Sequence, residues 1–175
     1  STNSAKLYTP PLKEVPIWLA AGGPKSATLA AEYADGLMIS VKNPEDAYEK
    51  VINPSKQKSE ELGKTNLRVH TYRWTMFADN DEDAWESLKS WRGLRAPNRL
   101  QELDPMVLRE TADSLGREEI MSKFSRAGNI EELIDIYKPL VDDFESEIDT
   151  IHISSIDQPK TIELLGKELL PKLKK

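Results

Sequence analysis

The sequence predicts an α/β fold in which parallel strands alternate with helices. Four segments carry the apolar or alternating pattern of strands, at 15–20, 37–39, 67–77 and 150–155. A helical segment, with start signals or an apolar face, follows each of them. A complete (β/α)8 barrel has eight such units and about 250 residues, so four units in 175 residues indicate half of a barrel. An open flavodoxin-like sheet is the alternative, although it would usually need a fifth strand.

The first unit contains a glycine-rich turn between its strand and its helix. The apolar run at 15–20 stops at Gly22-Gly23-Pro24, and an alanine-rich helical segment follows at 27–34. Two glycines allow the backbone to approach a ligand, and proline suits the first helical position. The free N–H groups at the start of the helix would face an anion. The alternative is that the two glycines only make a tight turn.

The second unit begins after Asp35-Gly36, which ends the first helix and leads into the strand at 37–39. Asn43-Pro44 then starts a helix, since asparagine is a good cap and acidic residues fill the first turn. A proline inside a helix removes a backbone hydrogen bond. We therefore expect Asn53-Pro54 to break or kink this helix before it continues at 55–62.

The third strand is followed by an excursion from the βα pattern. Segment 67–77 alternates and is predicted to be one long strand. A helix with an acidic start follows it, and residues 92–104 are then irregular and basic. Two further helical segments follow, so 93–128 is predicted to be a helical insertion before the last strand. The whole of 1–175 is predicted to form a single domain.

Two helices near the end of the chain have apolar faces. Asn129 starts the first with a pattern that resembles a capping box. Its core-facing positions are Ile130, Leu133, Ile134, Tyr137, Leu140, Val141 and Phe144. The last helix, at 157–173, is expected to turn Ile162, Leu165, Leu169 and Leu173 inward.

The composition excludes several classes of function. A net charge of −6 and a pI near 5.1 argue against a nucleic-acid partner. Without cysteine the chain has no disulfide or thiolate site, and two histidines are too few for a histidine-rich metal site. No apolar run reaches about 18 residues, which argues against a membrane span. We therefore expect a cytoplasmic protein.

The glycine-rich unit also resembles a known family. Ala20-Ala21-Gly22-Gly23-Pro24, followed ten residues later by Asp35-Gly36, is similar to the luciferase-like superfamily of flavin and deazaflavin oxidoreductases. Within it, the chain most resembles the coenzyme F-420-dependent branch, with its glucose-6-phosphate dehydrogenases and methylene-tetrahydromethanopterin reductases. The resemblance runs from Leu7 to Leu173. It implies a (β/α)8 TIM barrel of which this chain is the C-terminal half, strands five to eight.

The resemblance also implies binding residues. The loop that contains Gly22, Gly23, Lys25 and Ser26 would hold the phosphate-bearing tail of F-420, or of FMN as the alternative cofactor. An anionic substrate would be bound by Ser40, Asn43, Arg99 and Lys123. The family's sugar-phosphate dehydrogenases carry a lysine at the place of Asn43, which puts glucose 6-phosphate itself in doubt. Asn43 can also be a helix cap, and Arg99 and Lys123 can be surface charges.

No catalytic residue is expected in this chain. In the family the acid/base residues, an Asp, a His and a Glu, lie in the other half of the barrel, so the chain alone should be inactive. The reaction implied is hydride transfer between a substrate carbon and the deazaflavin C5. Two alternatives remain, an FMN-dependent luciferase-type monooxygenase and a non-catalytic half-barrel. In every case the exposed sheet edges should pair with the missing N-terminal half or with a second copy.

Overall fold

A computed structural model describes residues 11–64, 67–145 and 152–173. The strands are β1 Trp18–Ala20, β2 Gly36–Ser40, β3 Arg68–Tyr72, β4 Trp74–Phe77, β5 Ser125–Ala127 and β6 His152–Ser154. The α-helices are α1 Pro24–Tyr33, α2 Pro44–Ala47, α3 Asn53–Glu61, α4 Asp81–Ser87, α5 Pro105–Asp113, α6 Arg117–Met121, α7 Ile130–Asp142, α8 Gln158–Leu164 and α9 Leu170–Leu173. A 3-10 helix covers Arg92–Arg95. None of the helices in these ranges has the length and apolar character of a membrane-spanning segment.

The strands form two parallel sheets, one in the order β1-β2-β3 and the other in the order β5-β4-β6. Every pairing in them is parallel, as the sequence predicts. The carboxyl ends of neighbouring strands therefore lie at one edge of each sheet. Thr150 and Ile151, which were assigned to the last strand, lie outside the described residues.

The predicted long strand at 67–77 is two strands, and this part of the prediction is wrong. The break falls at Arg73, whose carbonyl oxygen accepts a hydrogen bond from the Tyr137 hydroxyl at 2.9 Å. The carbonyl is thus bound to a side chain of α7. Beyond the break, β4 lies between β5 and β6, so one continuous segment contributes to both sheets. The prediction of four strands also missed β5, whose three residues have no apolar pattern.

Prolines do not break the helices. A π-helical turn, Tyr48–Ile52, joins α2 to α3, and the Asn53 N–H donates to the Tyr48 carbonyl. Pro54 follows immediately and has no N–H to donate. The wider π-helical turn changes the hydrogen-bond pattern there, so the helix continues past the proline. The same arrangement recurs at the end of the chain, where a π-helical turn, Leu165–Leu169, precedes Pro171. The expected interruption at Pro54 is therefore a change of helical pitch within a continuous segment.

The main core packs β2 and Val69 of β3 against helices that precede and follow them in the chain, and α7 contributes the most residues. The described residues of the predicted α7 face are buried or packed against this core, which confirms that face. In the last helix Leu169 and Leu173 are buried, whereas Ile162 is exposed and its prediction is wrong. The first strand is also shorter than predicted, because Val15 and Ile17 are exposed and precede β1.

Gly36 is fixed by packing against Trp18 of the neighbouring strand. A Cβ atom at Gly36 would overlap the indole ring, lying only 2.6 Å from Cδ2 and closer still to Cε3 and Cζ3. The ring has little room to move, because its centroid is 3.7 Å from that of His70 and the Arg68 guanidinium lies 5.1 Å above it. The Asp35 carboxylate links the starts of β1 and β2 by accepting a hydrogen bond from the Ile17 N–H at 2.8 Å.

Candidate functional site

The candidate site lies where β1 and β2 end. The Ala21 N–H donates to the Met38 carbonyl at 2.9 Å, and the Val41 N–H donates to the Tyr72 carbonyl at the same distance. These bonds extend the sheet by one residue beyond each strand. They bring the turn Gly22-Gly23-Pro24, which we call the glycine turn, beside the segment that follows Ser40.

The glycine turn is shaped by Ser26. The Gly22 N–H donates to the Ser26 hydroxyl at 3.2 Å, and that hydroxyl donates to the Gly23 carbonyl at 3.0 Å. Gly23 is extended, with φ −174° and ψ 177°, a conformation that any residue can adopt. A Cβ atom at Gly22 or Gly23 would meet no atom within 4 Å. Neither glycine is therefore needed for the packing of the described residues.

The start of α1 leaves backbone donors available. Pro24 occupies the first turn, and no side chain among the described residues caps the helix. The first N–H groups of a helix have no partner within the helix, and its positive end favours an anion. Lys25 is exposed beside them and forms no ion pair in the part of the chain that the structure describes. The turn thus offers backbone N–H groups and one ammonium group to a ligand.

A small cleft of about 140 Å³ adjoins the glycine turn. It is lined by Ala21, Gly22, Ile39, Ser40, Lys42, Asn43, Asp46, Ala47, Lys50 and Val51. Lys50 is neutralised by Asp46 at 2.8 Å. Asn43 caps α2 by accepting a hydrogen bond from the Asp46 N–H at 3.2 Å. Lys42 is the cation of this cleft that no carboxylate pairs with among the described residues.

A larger space of about 400 Å³, which we call the cationic cavity, lies on the other side of Ser40. It is lined by Ser40, Val41, Lys42, Arg73, Trp74, Arg95, Ser122, Lys123, Phe124, Ser125, Arg126 and Ile136. None of these described lining residues is acidic. Two of its cations are paired with carboxylates outside the lining, Lys123 with Glu119 at 3.0 Å and Arg126 with Asp81.

Arg73 and Arg95 carry the remaining guanidinium charges of the cationic cavity. Each is about half-buried, and burial lowers the pKa of both groups. For Arg95 the nearby charge of Arg99 lowers the pKa further. Arginine stays protonated despite such shifts, because its ordinary pKa lies far above neutral pH. The cavity therefore holds positive charge that is partly removed from water.

The small cleft and the cationic cavity share Ser40 and Lys42 in their linings. A ligand that extends from the glycine turn through the cleft would therefore reach the cavity at Ser40. The geometry suits two anionic groups, one at the helix start and one among the arginines.

The structure brings some of the predicted site residues together and separates others. Gly22, Ser40 and Asn43 line the small cleft, and Ser40 and Lys123 line the cationic cavity. The Ser26 hydroxyl is engaged within the turn. Arg99 is exposed and does not line either space. The binding roles of all eight residues stay predictions.

Sequence reasoning missed two residues of the cavity, Arg73 and Arg95. Arg73 lies inside a segment that was assigned to one strand, where a charged residue among aromatic neighbours was the available signal. Arg95 belongs to the basic stretch at 92–104, from which the family resemblance selected Arg99 instead. The structure shows that Arg95, four residues earlier, faces the cavity.

Comparison with known proteins places this chain in a family. The model of the luciferase-like monooxygenase family matches residues 2–142. The chain is 28% identical to the F420-dependent glucose-6-phosphate dehydrogenase of Mycolicibacterium gilvum, with 99% of this chain and 53% of that protein covered. It is 25% identical to the 5,10-methylenetetrahydromethanopterin reductase of Methanopyrus kandleri, with 92% and 51% covered.

Solved structures agree with the sequence matches. An F420-dependent secondary alcohol dehydrogenase, in complex with an F420-acetone adduct, superposes with a TM-score of 0.73 at 27% identity. The match covers 98% of this chain and 52% of that chain. The tetrahydromethanopterin reductase of Methanopyrus kandleri gives a TM-score of 0.68 at 22% identity, covering 91% and 51%, and this likeness shows the fold alone.

The chain thus spans about half the length of the curated relatives it matches. The predicted α/β half-barrel is confirmed, as is the resemblance to F-420-dependent members of the superfamily. Because the family model matches most of its length, the chain belongs to the luciferase-like monooxygenase family.

Proposed function

We propose that this chain is the half of an F-420-dependent oxidoreductase that binds the cofactor's phosphate tail and an anionic substrate. The observation that carries the proposal is the open glycine turn, which is joined to the cationic cavity through Ser40 and Lys42. The names of the similar proteins support the cofactor, since several are F420-dependent enzymes. The anionic substrate is supported by the charge of the cavity.

The residues of the glycine turn fit a phosphate group. A phosphate oxygen can approach the backbone at Gly22 and Gly23, where a Cβ atom would otherwise lie. The start of α1, which has no described side-chain cap, supplies N–H donors, and Lys25 supplies a charge that no described carboxylate pairs with. When bound, F-420 would supply a deazaflavin ring whose C5 accepts a hydride from the substrate. Ser26 would act indirectly, by holding the turn in the shape that exposes these donors.

The cationic cavity would bind and orient the substrate's anionic group. A fixed orientation matters for hydride transfer, because the reacting carbons must be held close together. Trp74 and Phe124 would contact the less polar part of the substrate. We assign no proton transfer to this chain, and we expect the isolated chain to show no turnover. The cytoplasm stays our proposal for its location, based on the cysteine-free composition.

The nearest rival is an FMN-dependent monooxygenase, which the family's description favours. A second rival concerns the substrate, since the similar alcohol dehydrogenase was solved with an adduct of acetone, which is neutral. Titrating the full-length protein with oxidised F-420, and separately with FMN, while following cofactor fluorescence separates the cofactors. We expect saturable F-420 binding and much weaker FMN binding. Tight binding of FMN alone, or of neither cofactor, would overturn the proposal.

The substrate class can be tested by following deazaflavin reduction by the full-length protein. We expect phosphorylated alcohols to be oxidised with higher kcat/KM than the matched alcohols without phosphate. Equal kcat/KM for the charged and neutral members of each pair would instead favour a neutral alcohol as the substrate. The isolated 175-residue chain, assayed in parallel, should bind anions without reducing the cofactor.

We also propose that the edge at β1 pairs with the other half of the barrel or with a second copy. Strand β1 is at the end of its sheet, and Val15 and Ile17 beside it are about 60% exposed. An exposed strand edge with apolar neighbours favours association. Sedimentation of the isolated chain should show dimers or larger species. A stable monomer at high concentration would contradict this pairing.

A further inference from the structure

Another space in the described chain is separate from the small cleft and the cationic cavity. It has a volume of about 230 Å³ and shares no described lining residue with either of them. We call it the acidic cleft, and it lies where β4 and β6 end and where α4 and α8 begin. Its lining consists of Phe77, Ala78, Asp79, Asp83, Gly128, Ser155, Ile156, Asp157, Lys160, Thr161 and Leu164.

The carboxylates of the acidic cleft have no cationic partner in the part of the chain that the structure describes. Asp79, Asp83 and Asp157 line the cleft, and none of them forms an ion pair with a described residue. Asp81, which lies between two of them in sequence, is by contrast paired with an arginine. Lys160 is the cation among the described lining residues, so three carboxylates and one ammonium group give the lining a formal net charge of −2.

Hydrogen bonds hold each of these carboxylates by one oxygen. The Asn80 side-chain amide donates to Asp79 Oδ1 at 2.9 Å and to Asp83 Oδ2 at 3.0 Å, so one amide orients both groups. The Lys160 N–H donates to Asp157 Oδ1 at 3.1 Å, which caps α8. The second oxygen of each carboxylate accepts no hydrogen bond from a described residue. Three oriented acceptors therefore remain for a ligand.

Ser155 is a second, independent indication of a ligand. It lies directly after β6 and is only 8% exposed, and its hydroxyl has no hydrogen-bond partner among the described residues. Buried polar groups in folded proteins are nearly always hydrogen-bonded, so an unpaired hydroxyl in a cleft-lining residue indicates a missing polar partner. A serine hydroxyl can accept from an N–H donor as well as donate.

The lining also contains apolar side chains, and its acidic groups do not form a metal site. Phe77, Ile156 and Leu164 give the cleft an apolar surface, and Ile156 is 58% exposed. Calcium and magnesium ions need several oxygen ligands around one point. No group of three acidic or histidine side chains in the described ranges is arranged to hold a metal ion. The cleft therefore suits a longer, partly apolar cation.

We propose that the acidic cleft binds an aliphatic diamine. Each ammonium group has one positive charge and three N–H donors, so two of them match the net charge and the available carboxylate oxygens. The alkyl chain between them would contact Phe77 and Ile156, as the stem of a lysine side chain contacts apolar surface. The Ser155 hydroxyl would accept one of the N–H donors. The cofactor and substrate residues proposed above do not line this cleft, so the diamine site does not depend on the proposed function.

The test is calorimetric titration of the full-length protein with putrescine, a four-carbon diamine, in dilute phosphate buffer. We expect saturable putrescine binding and about fivefold weaker binding of butylamine, which has one charge. Butanediol has a similar length without charge and should not bind. Magnesium chloride should bind at least tenfold more weakly than putrescine, because the carboxylates are not grouped around one point.

Asp79→Asn, Asp83→Asn and Asp157→Asn should each weaken putrescine binding by about fivefold. Each replaces a carboxylate by an amide of the same shape, and asparagine also caps helices well, so these variants should fold. Ser155→Ala should weaken binding by about threefold. The matched control is Glu86→Gln, which removes the same charge from an ion pair of α4 outside the cleft and should leave putrescine affinity unchanged.

Loss of putrescine binding that is confined to the cleft variants would support the diamine site. Absence of saturable putrescine binding to the wild type would overturn it. An equal loss in Glu86→Gln and in the cleft variants would also overturn it, because binding would then follow the overall charge of the protein. Magnesium or butanediol binding as tight as that of putrescine would contradict the proposed ligand class.

Discussion

The three glycines of one sequence motif have different surroundings in this molecule. Gly36 lies against the clamped indole ring of Trp18, which leaves no room for a methyl group. Gly22 and Gly23 belong to the same motif, yet a methyl group at either would contact no atom of the described residues within 4 Å. Neither Gly22 nor Gly23 has the left-handed backbone that favours glycine. One sequence motif thus contains a glycine that is packed against a side chain and two glycines that lie in an open turn.

The difference in packing between these glycines indicates where a ligand could bind. A glycine that packing requires needs no further explanation, whereas one that packing does not require can be explained by a group that approaches from outside. The turn at Gly22 and Gly23 also has an uncapped helix start behind it. We infer that Gly36 serves the fold and that the glycine turn serves the cofactor's phosphate tail.

The largest effect should come from Gly36→Ala. The added methyl group would overlap the Trp18 ring, and overpacking of this kind costs about 3 kcal/mol at the upper end of its usual range. Urea unfolding of the isolated chain should show this loss in the free energy of unfolding. Combining Gly36→Ala with Trp18→Ala should recover part of it, because the overlapping ring is then absent. A loss below about 0.5 kcal/mol would show that the ring moves freely.

Tyr137 offers a second comparison, within the neighbourhood of Arg73. Its hydroxyl lies 2.8 Å from the Thr75 hydroxyl and donates to the Arg73 carbonyl, so this network serves the fold while the Arg73 guanidinium faces the cavity. Tyr137→Phe should lower the free energy of unfolding by about 2 kcal/mol, since a buried carbonyl loses its donor. It should leave phosphate binding within about threefold. A larger loss of binding than of stability would contradict this division of roles.

The same tyrosine predicts a pH dependence. Burial raises the pKa of Tyr137 to about 12, against a smaller lowering by the Thr75 hydrogen bond and the Arg73 charge. Its folded pKa exceeds the unfolded value of about 10, so its contribution is complete below pH 10 and is lost as pH rises to 12. That loss should amount to about 2 kcal/mol. Ultraviolet titration should show a tyrosine that ionises near pH 12, and this step should be missing in Tyr137→Phe.

A smaller effect is expected at Asn43, which was predicted to bind substrate and which caps α2. Asn43→Ala should cost about 1 kcal/mol of stability. Asn43→Ser should restore the cap without adding charge, because its hydroxyl can also accept from the Asp46 N–H. If the cap is the only role of Asn43, Asn43→Ser changes phosphate affinity by no more than twofold. A tenfold loss of affinity in Asn43→Ser would instead support the predicted substrate role.

Local patterns predicted much of the fold. The caps at Asn43 and Asn129 were readable because each depends on residues within three positions. The break at Arg73 was not, because it depends on Tyr137, which is 64 residues away in the sequence. The π-helical turns before Pro54 and Pro171 were also not predicted. The sequence shows where each proline lies, but not how the helix accommodates it.

The site was predicted in part for the same reason. The glycine turn is one contiguous segment, and its serine and lysine are adjacent to it in sequence. The cationic cavity is assembled from β4, β5, the 3-10 helix and the residues after β2. A sequence gives no direct signal of which arginine in a basic stretch turns inward. That explains why Arg95 was missed and why Arg99, which is exposed, was selected.

The most direct test is a comparison of F-420 with its deazaflavin analogue lacking the phosphate, titrated into wild type, Gly22→Ala and Gly23→Ala full-length protein. The two variants should unfold within about 0.5 kcal/mol of the wild type, since their methyl groups contact no other residue that the structure describes. We expect wild type to bind F-420 at least tenfold more tightly than the analogue, and the variants to lose most of that preference. Equal affinity of the wild type for both compounds, or an unchanged preference in both variants, would show that the glycine turn does not bind the phosphate tail.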